Sequence, residues 1–212
     1  LTYYKGAMVL NMLRLKLGDK LFFQGIKNYL TDPNLAYKYA ITSDLQSHLE
    51  AVYGNSLDEF FNDWIFNQGY PSYTINTENI SNGIVKFTVN QEQSDPSVSF
   101  FEMPVPIRVL GSNGQQMDLI LDNTINGEVF LKEVPFAVSS IVFDPNSDLI
   151  SRNNKTTLGL NKLELEFIKL YPNPTNNFLS LDLPSGITLT KTIFYNVLGQ
   201  KMIETGSTTH WD

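Results

Sequence analysis

The sequence predicts an α+β chain of several domains: a helical segment, an antiparallel β-sandwich, and a partial small β domain. Three observations predict this. Apolar residues recur at helical spacing from Tyr3 to about Gln68. After Gly69-Tyr70-Pro71 they recur at every second position or in short β-branched runs. Asn82-Gly83, Asn113-Gly114 and Asn126-Gly127 then lie between those runs, and Asn-Gly reaches positive φ cheaply in a tight hairpin.

The elements follow in order. A first helix is expected from about Tyr4 to Leu17, stopped by Gly18. Ala7, Leu10, Leu13 and Leu17 line one face and Met8, Met12 and Leu15 another, a pattern for burial on several sides. Asp19 is expected to cap a second helix carrying Leu21, Phe22, Ile26, Tyr29 and Leu30, ended by Thr31-Asp32-Pro33-Asn34. Ser43 with Gln46 reads as a capping box for a third helix, with the stripe Leu45, Leu49 and Val52 and a stop at Gly54. Ser56 with Glu59 reads as the box of a fourth, whose Leu57, Phe60, Phe61, Trp64 and Ile65 form one apolar face. Strands are expected at Tyr73–Ile75, Ile84–Val89, Val105–Leu110, Met117–Leu121, Val129–Leu131 and Ile141–Phe143. Phe87, Phe130 and Phe143 sit among β-branched residues and read as core. Asp144-Pro145-Asn146 closes that region, and the polar run from Ser151 reads as a linker. Strand-like segments at Phe167–Tyr171, Phe178–Leu183 and Thr192–Val197 come last, too few to close a sandwich. The expected boundaries are 1–71 helical, 72–150 sandwich, 151–165 linker and 166–212 small β domain.

Composition removes several functions. Fifteen basic against 22 acidic residues give a net charge of −7, and Lys and Arg form no run of three. Nucleic acid and anionic membrane surfaces therefore have no electrostatic footprint here. The absence of cysteine removes disulfides, thiolate metal sites and cysteine nucleophiles. No apolar run approaches the roughly 18–20 residues needed to span a bilayer. The chain opens directly into helical pattern at Leu1, which reads as a segment cut from a longer protein.

Candidate chemistry is sparse. Catalytic zinc needs three protein ligands and an open position. The two histidines, His48 and His210, are far apart, and no H-E-x-x-H is present, so no zinc is expected on this chain alone. His48 reads as a partly exposed helix residue. Asp122-Asn123-Thr124-Ile125-Asn126-Gly127-Glu128 offers oxygen ligands but lacks the spacing of a calcium loop and reads as a hairpin turn. Asp58, Glu59 and Asp63 suit the start and outer face of a helix, where carboxylates complement the dipole. No G-x-S-x-G and no phosphate-cradling glycine loop occurs.

Three blocks in order carry a resemblance. Thr2-Tyr3-Tyr4-Lys5-Gly6-Ala7 contains a Y-x-K-G-A block, Thr42 to Pro71 ends in Trp64-Ile65 and Gly69-Tyr70-Pro71, and Met103-Pro104-Val105-Pro106-Ile107 runs on to Phe143-Asp144-Pro145-Asn146. Residues 2–150 thus resemble the end of the catalytic domain and the following sandwich of the aminopeptidase N family of zinc metallopeptidases (gluzincins). The resemblance implies a parent enzyme that removes N-terminal residues from peptides. Its zinc ligands would lie before Leu1, and this chain alone would be inactive. It also implies that Tyr3 is catalytic, donating a hydrogen bond to the oxyanion of the tetrahedral intermediate; the alternative is a buried aromatic at a helix start. Gly6 and Ala7 would let that helix pack closely. Several family members continue after the sandwich into a large helical domain, which this sequence replaces with the linker and small β unit. Family specificity is therefore not carried over.

Leu170-Tyr171-Pro172-Asn173-Pro174-Thr175 and Ile193-Phe194-Tyr195-Asn196-Val197-Leu198-Gly199-Gln200-Lys201 resemble the C-terminal sorting domain of the type IX secretion system of Bacteroidetes-type bacteria. That resemblance implies a secreted or cell-surface protein whose tail engages the type IX machinery, here without the final G-x-Y strand. The rival to the enzyme reading is a non-catalytic secreted module whose helices and sandwich bind a glycan or protein.

Overall fold

Helical spacing in the first third of the chain produces α1 (Thr2–Leu17), α2 (Asp19–Thr31), α3 (Thr42–Tyr53) and α4 (Asp58–Phe61), the last running into a π-helical turn at Asn62–Phe66. The computed structural model describes residues 2–80, 83–159, 168–183 and 188–211. The chain divides into two units, Leu1–Gly159 and Leu160–Asp212.

α1 buries Val9, Met12, Leu13 and Leu17, while Ala7 and Leu10 on the same predicted face stay exposed. Gly18 ends the helix at φ 76°, its N–H donating to the Arg14 carbonyl, and turns the chain into α2. Three capping expectations need correction. Asp19 lies inside the first turn of α2, bound by the Arg14 guanidinium at 2.7 and 2.9 Å; Gly18 occupies the cap position. The cap of α3 is Ile41, two residues earlier than the expected Ser43. Ile41 N–H donates to Asp44 Oδ2 at 2.8 Å, Asp44 N–H donates to the Ile41 carbonyl at 3.0 Å, and Gln46 points instead at Glu50 and Asp58. A backbone carbonyl and an aspartate thus do what Ser43 and Gln46 were expected to do. At α4, Ser56 Oγ accepts the Asp58 N–H at 3.0 Å, and Glu50 Oε1, not Glu59, satisfies the Leu57 N–H at 2.7 Å.

Period-two alternation produces two sheets. One has strand order β5 (Glu128–Glu133), β2 (Ile84–Gln93), β1 (Pro71–Asn79), β7 (Lys155–Gly159); the other is β4 (Gln116–Asn123), β3 (Met103–Gly111), β6 (Val138–Phe143). Tyr73, Ile75, Val85, Phe87 and Val89 of the first sheet and Val105, Ile107, Val109 and Leu121 of the second are fully buried between them. Phe130 and Phe143 pack against this core. Each fully buried aliphatic or aromatic side chain contributes about 1.5–3 kcal/mol, so this layer dominates the stability of the sandwich. Gly114 and Gly127 take the positive φ expected of their turns, while the Asn82 half of the first Asn-Gly pair lies outside the described residues. Two amides stitch the sandwich internally: Asn79 exchanges hydrogen bonds with both backbone groups of Val138, and buried Gln91 does the same with Phe101.

The expected linker is partly sheet. Lys155–Gly159 is β7, parallel to β1 in the register Thr74↔Lys155 to Glu78↔Gly159. Polar composition misleads here because β7 is an edge strand with little to bury: Thr157 Oγ1 bonds Asn76 Oδ1 at 2.6 Å, and Thr156 Oγ1 reaches the Ile141 carbonyl. The rest of that linker, from residue 160, lies outside the described residues.

Side chains of the helical segment meet the sandwich at Asn11 with Asp148 (3.0 Å), Lys16 with Glu102 (3.0 Å), and Trp64 with Phe101, whose ring centroids are 4.6 Å apart.

The second unit holds a sheet of β8 (Lys169–Tyr171), β9 (Leu179–Asp182) and β12 (His210–Trp211), and a hairpin of β10 (Thr192–Tyr195) and β11 (Lys201–Thr205). Phe167, expected to open the first of these strands, lies outside the described residues. In the β10–β11 turn, Asn196 Oδ1 accepts the Leu198 and Gln200 N–H groups while Gly199 takes φ 78°. Phe194 and Trp211 stack edge to face at 5.2 Å.

Candidate functional site

Tyr3 stands on the first turn of α1 with 92% of its surface exposed, and Tyr4 beside it is 82% exposed. From the next turn onward α1 forms one wall of an apolar groove of about 640 Å³. Lys5, Gly6, Val9, Leu10 and Leu13 face Tyr29 of α2, Ile41 and Leu45 at the start of α3, and Phe61, Trp64 and Ile65 beyond α4. A Cβ built on Gly6 meets nothing within 4 Å, so close packing does not demand glycine there among these elements. Tyr3 is thus a phenol held by a rigid helix at one end of a long apolar face. Such a phenol can donate a hydrogen bond to an oxygen presented to it.

The histidines are engaged elsewhere. In the first unit, His48 Nδ1 lies 2.7 Å from the Asp44 carbonyl and Nε2 lies 3.1 Å from Asp32 Oδ2, with Tyr29 edge-on to the ring. Asp32 is held below the usual carboxylate range, first by the Asn34 N–H and then by His48, against the opposing effect of burial. His210, in the second unit, bonds Thr209. Among the described residues no group of three His, Asp or Glu side chains is placed to hold a metal ion.

The Asp122–Glu128 stretch is a turn that satisfies itself. Glu128 Oε2 accepts from Thr124 N–H at 2.7 Å and Asn123 Nδ2 at 3.1 Å, and Asn126 Oδ1 accepts the Gln91 N–H at 2.7 Å. Burial pushes the Glu128 carboxyl up, but those bonds outweigh it and leave it below its usual range. Its oxygens are committed to this turn, which is not the hairpin expected from Asn126-Gly127: β4 pairs with β3 and β5 with β2, so the stretch crosses from one sheet to the other.

Asp63 differs from its sequence reading. On the π-turn it is half-buried, and burial, then Glu59, then Glu102, push it up to about 6. Glu59 is also raised, by burial and by neighbouring Glu102, though its exposure screens the effect. A helical wheel could place Asp63 near Glu59. Nothing local could bring Glu102 to it from the sandwich.

With that geometry in place, comparison with known proteins finds a likeness for the helical part. Residues 1–64 match the Peptidase family M1 domain. The similarity to individual proteins continues into the sandwich. A probable aminopeptidase 1 of Sulfurisphaera tokodaii is 29% identical over 124 residues, which is 58% of this chain and 15% of that protein. A leucyl aminopeptidase of Saccharolobus solfataricus is 25% identical over 170 residues, covering 74% of this chain and 20% of its own. The aminopeptidase N of Oryctolagus cuniculus is 36% identical over 93 residues, 40% of this chain and 9% of that protein. The chain therefore spans a fifth or less of the length of these relatives. Its similarity is to aminopeptidases, over stretches of 124 and 170 residues that are longer than the 64 residues of the family match.

Proposed function

We propose that this chain is the C-terminal portion of a secreted zinc aminopeptidase that removes N-terminal residues from peptides. One observation carries the reading: residues 1–64 match the M1 peptidase domain, and aminopeptidase relatives are similar over 58% and 74% of the chain, well beyond those 64 residues. In the whole protein, zinc and its ligands belong to the preceding part of the catalytic domain. The apolar groove along α1 supports this, since Leu10, Ile41 and Ile65 are exposed apolar residues on a face suited to further packing.

Tyr3 is the residue of this chain assigned to catalysis. Its hydroxyl donates a hydrogen bond to the oxygen that becomes negative as the scissile carbonyl turns tetrahedral. A donor aimed at charge that develops only in the transition state lowers the barrier without tightening ground-state binding. Tyr3 lies on the first turn of α1 and is 92% exposed in this chain. The tail, through Tyr171-Pro172-Asn173-Pro174 and the Asn196–Gln200 turn, serves as an export address read by the type IX machinery.

The test compares the full-length protein with its Tyr3→Phe variant for zinc content and hydrolysis of an N-terminal leucine anilide. The expected result is one zinc in both and a loss of about 100- to 1000-fold in kcat for the variant. Zinc-free, inactive wild type would sink the enzyme reading. The 212-residue chain by itself is expected to release no product. Deleting residues 166–212 from the full-length protein is expected to keep it from reaching the cell surface or medium.

A further inference from the structure

Asn113-Gly114 and Asn126-Gly127 share a dipeptide, yet the fold holds them differently. Gly114 and Gly127 have nearly the same backbone, at φ 79° and 75°, and both pairs are exposed. Neither composition nor local conformation separates them. Their hydrogen bonds do.

Asn126 and Gly127, where the chain crosses to β5, are both anchored to β2. The Gly127 N–H donates to the Val89 carbonyl at 2.9 Å, and Asn126 Oδ1 accepts the Gln91 N–H at 2.7 Å. Asn113 and Gly114 form the turn from β3 to β4, which is held at its base. There the Gly111 N–H donates to the Gln115 carbonyl at 2.8 Å, and the Asn113 N–H donates to Gln115 Oε1 at 3.1 Å. Among the described residues, neither the Asn113 side-chain amide nor the Gly114 N–H has a hydrogen-bond partner. A Cβ built on Gly114 meets nothing within 4 Å, so no neighbour crowds the backbone there.

We propose that Asn113 is a self-modification site, converted to aspartyl and isoaspartyl products through the Gly114 nitrogen, and that β2 protects Asn126 from the same reaction. The Gly114 nitrogen loses its proton and attacks Asn113 Cγ. The new N–Cγ bond closes a succinimide ring, the Cγ–Nδ2 bond breaks, and the side-chain nitrogen leaves as ammonia. Water then opens the ring. Cleavage at Cγ gives aspartate, and cleavage at the main-chain carbonyl gives isoaspartate. Nothing is oxidised or reduced: water enters and ammonia departs. Glycine favours ring closure because it has no side chain to obstruct the attacking nitrogen.

At Asn126 two effects oppose each other. The bond from Gln91 polarises the side-chain carbonyl, which favours attack. However, the ring closes only if Cγ turns onto the Gly127 nitrogen, and both groups are fixed to β2. Each hydrogen bond that must be released first slows the step by about fivefold. Anchoring therefore wins at Asn126, while Asn113 and Gly114 have no such bonds to release. Conversion of Asn113 adds one negative charge to a chain already at −7. The isoaspartyl form also routes the chain through the side-chain carbon, lengthening a turn whose ends Gly111 and Gln115 hold together.

The experiment incubates the full 212-residue chain at mildly alkaline pH, folded in buffer and unfolded in urea. Digestion and mass spectrometry then follow each Asn-Gly peptide. In the folded chain the Asn113 peptide is expected to gain the mass that exchanges NH for O, split between aspartyl and isoaspartyl forms. The Asn126 peptide is expected to convert more slowly by roughly tenfold or more. In urea the two rates are expected to converge, because the anchors on β2 are gone. Asn113→Gln is expected to remove the fast acidic species, since the longer side chain closes its ring far less readily. Three outcomes each overturn the proposal: Asn126 converting as fast as Asn113 in the folded chain, folded Asn113 staying intact while the unfolded chain converts, or a rate difference that survives in urea.

Discussion

Gly25 is buried where α2 meets α3, and a methyl group added there would lie 2.7 Å from Leu49 Cδ2 and 3.3 Å from Leu49 Cα. Replacing a helical glycine by alanine favours the helix by about 1 kcal/mol. Overpacking a tight contact costs about 1–3 kcal/mol, and here the close atom is the end of the fully buried Leu49 side chain, with Val52 Cγ2 at 3.2 Å and Leu49 Cα at 3.3 Å leaving little room for it to move. The packing cost wins: Gly25→Ala is expected to lower the denaturant midpoint, corresponding to a loss of about 1 kcal/mol. Gly6 is the control, because open space surrounds its site and only the helix preference remains. Gly6→Ala in this chain is expected to raise stability by up to about 1 kcal/mol. Equal effects of the two substitutions would mean that the α2–α3 contact is looser than described. Tyr3 and Asp63 belong to this scale too. The type of each is plain in the sequence, but the approach of Glu102 changes the chemistry of Asp63.

At the scale of elements, β7 is the informative case. Its five residues, Lys155–Gly159, cover the edge of β1 and add hydroxyl bonds to Asn76 and Ile141. A chain ending at Asn154 is expected to melt below one ending at Gly159 by roughly 2–4 °C, for a loss near 1 kcal/mol. Equal melting temperatures would show that β7 adds nothing to the sheet. Sequence reasoning sees a buried strand by its apolar alternation, and an edge strand of Lys, Thr, Thr, Leu and Gly has no such alternation to show. The caps of α3 and α4 were obscured for a related reason. Their backbone groups are satisfied by an Ile41 carbonyl and a Glu50 carboxylate, neither of which has a local signature. The π-turn at Asn62–Phe66 is equally silent, since Trp64 and Ile65 fit an α-helical stripe as well as a widened one.

For the whole molecule, the division at Gly159 makes a concrete expectation: the chain 1–159 should melt at the temperature of the first unit within the full chain. A marked drop would mean that residues 160–212 support it. Acid response has its own sign. Asp19, Asp95 and Asp118 are held below their usual range, the first and last by Arg14 and Arg108, and Asp95 by Ser97. Their contribution is present at neutral pH and lost as pH falls below the ordinary carboxylate range, the opposite of Asp63. By itself the sequence determined the order of helices, sandwich and small β unit, the turns at Asn-Gly, and the Y-x-K-G-A block that places Tyr3. These depend on periodicity and on conformational preferences of neighbouring residues, which are local. Only the tertiary structure decided that polar residues 155–159 complete a sheet, that Gly25 and not Gly6 is sterically required, and that Asp63 meets a second carboxylate. Each of these turns on residues distant in the chain, and their energies arise only once the backbone has brought them together.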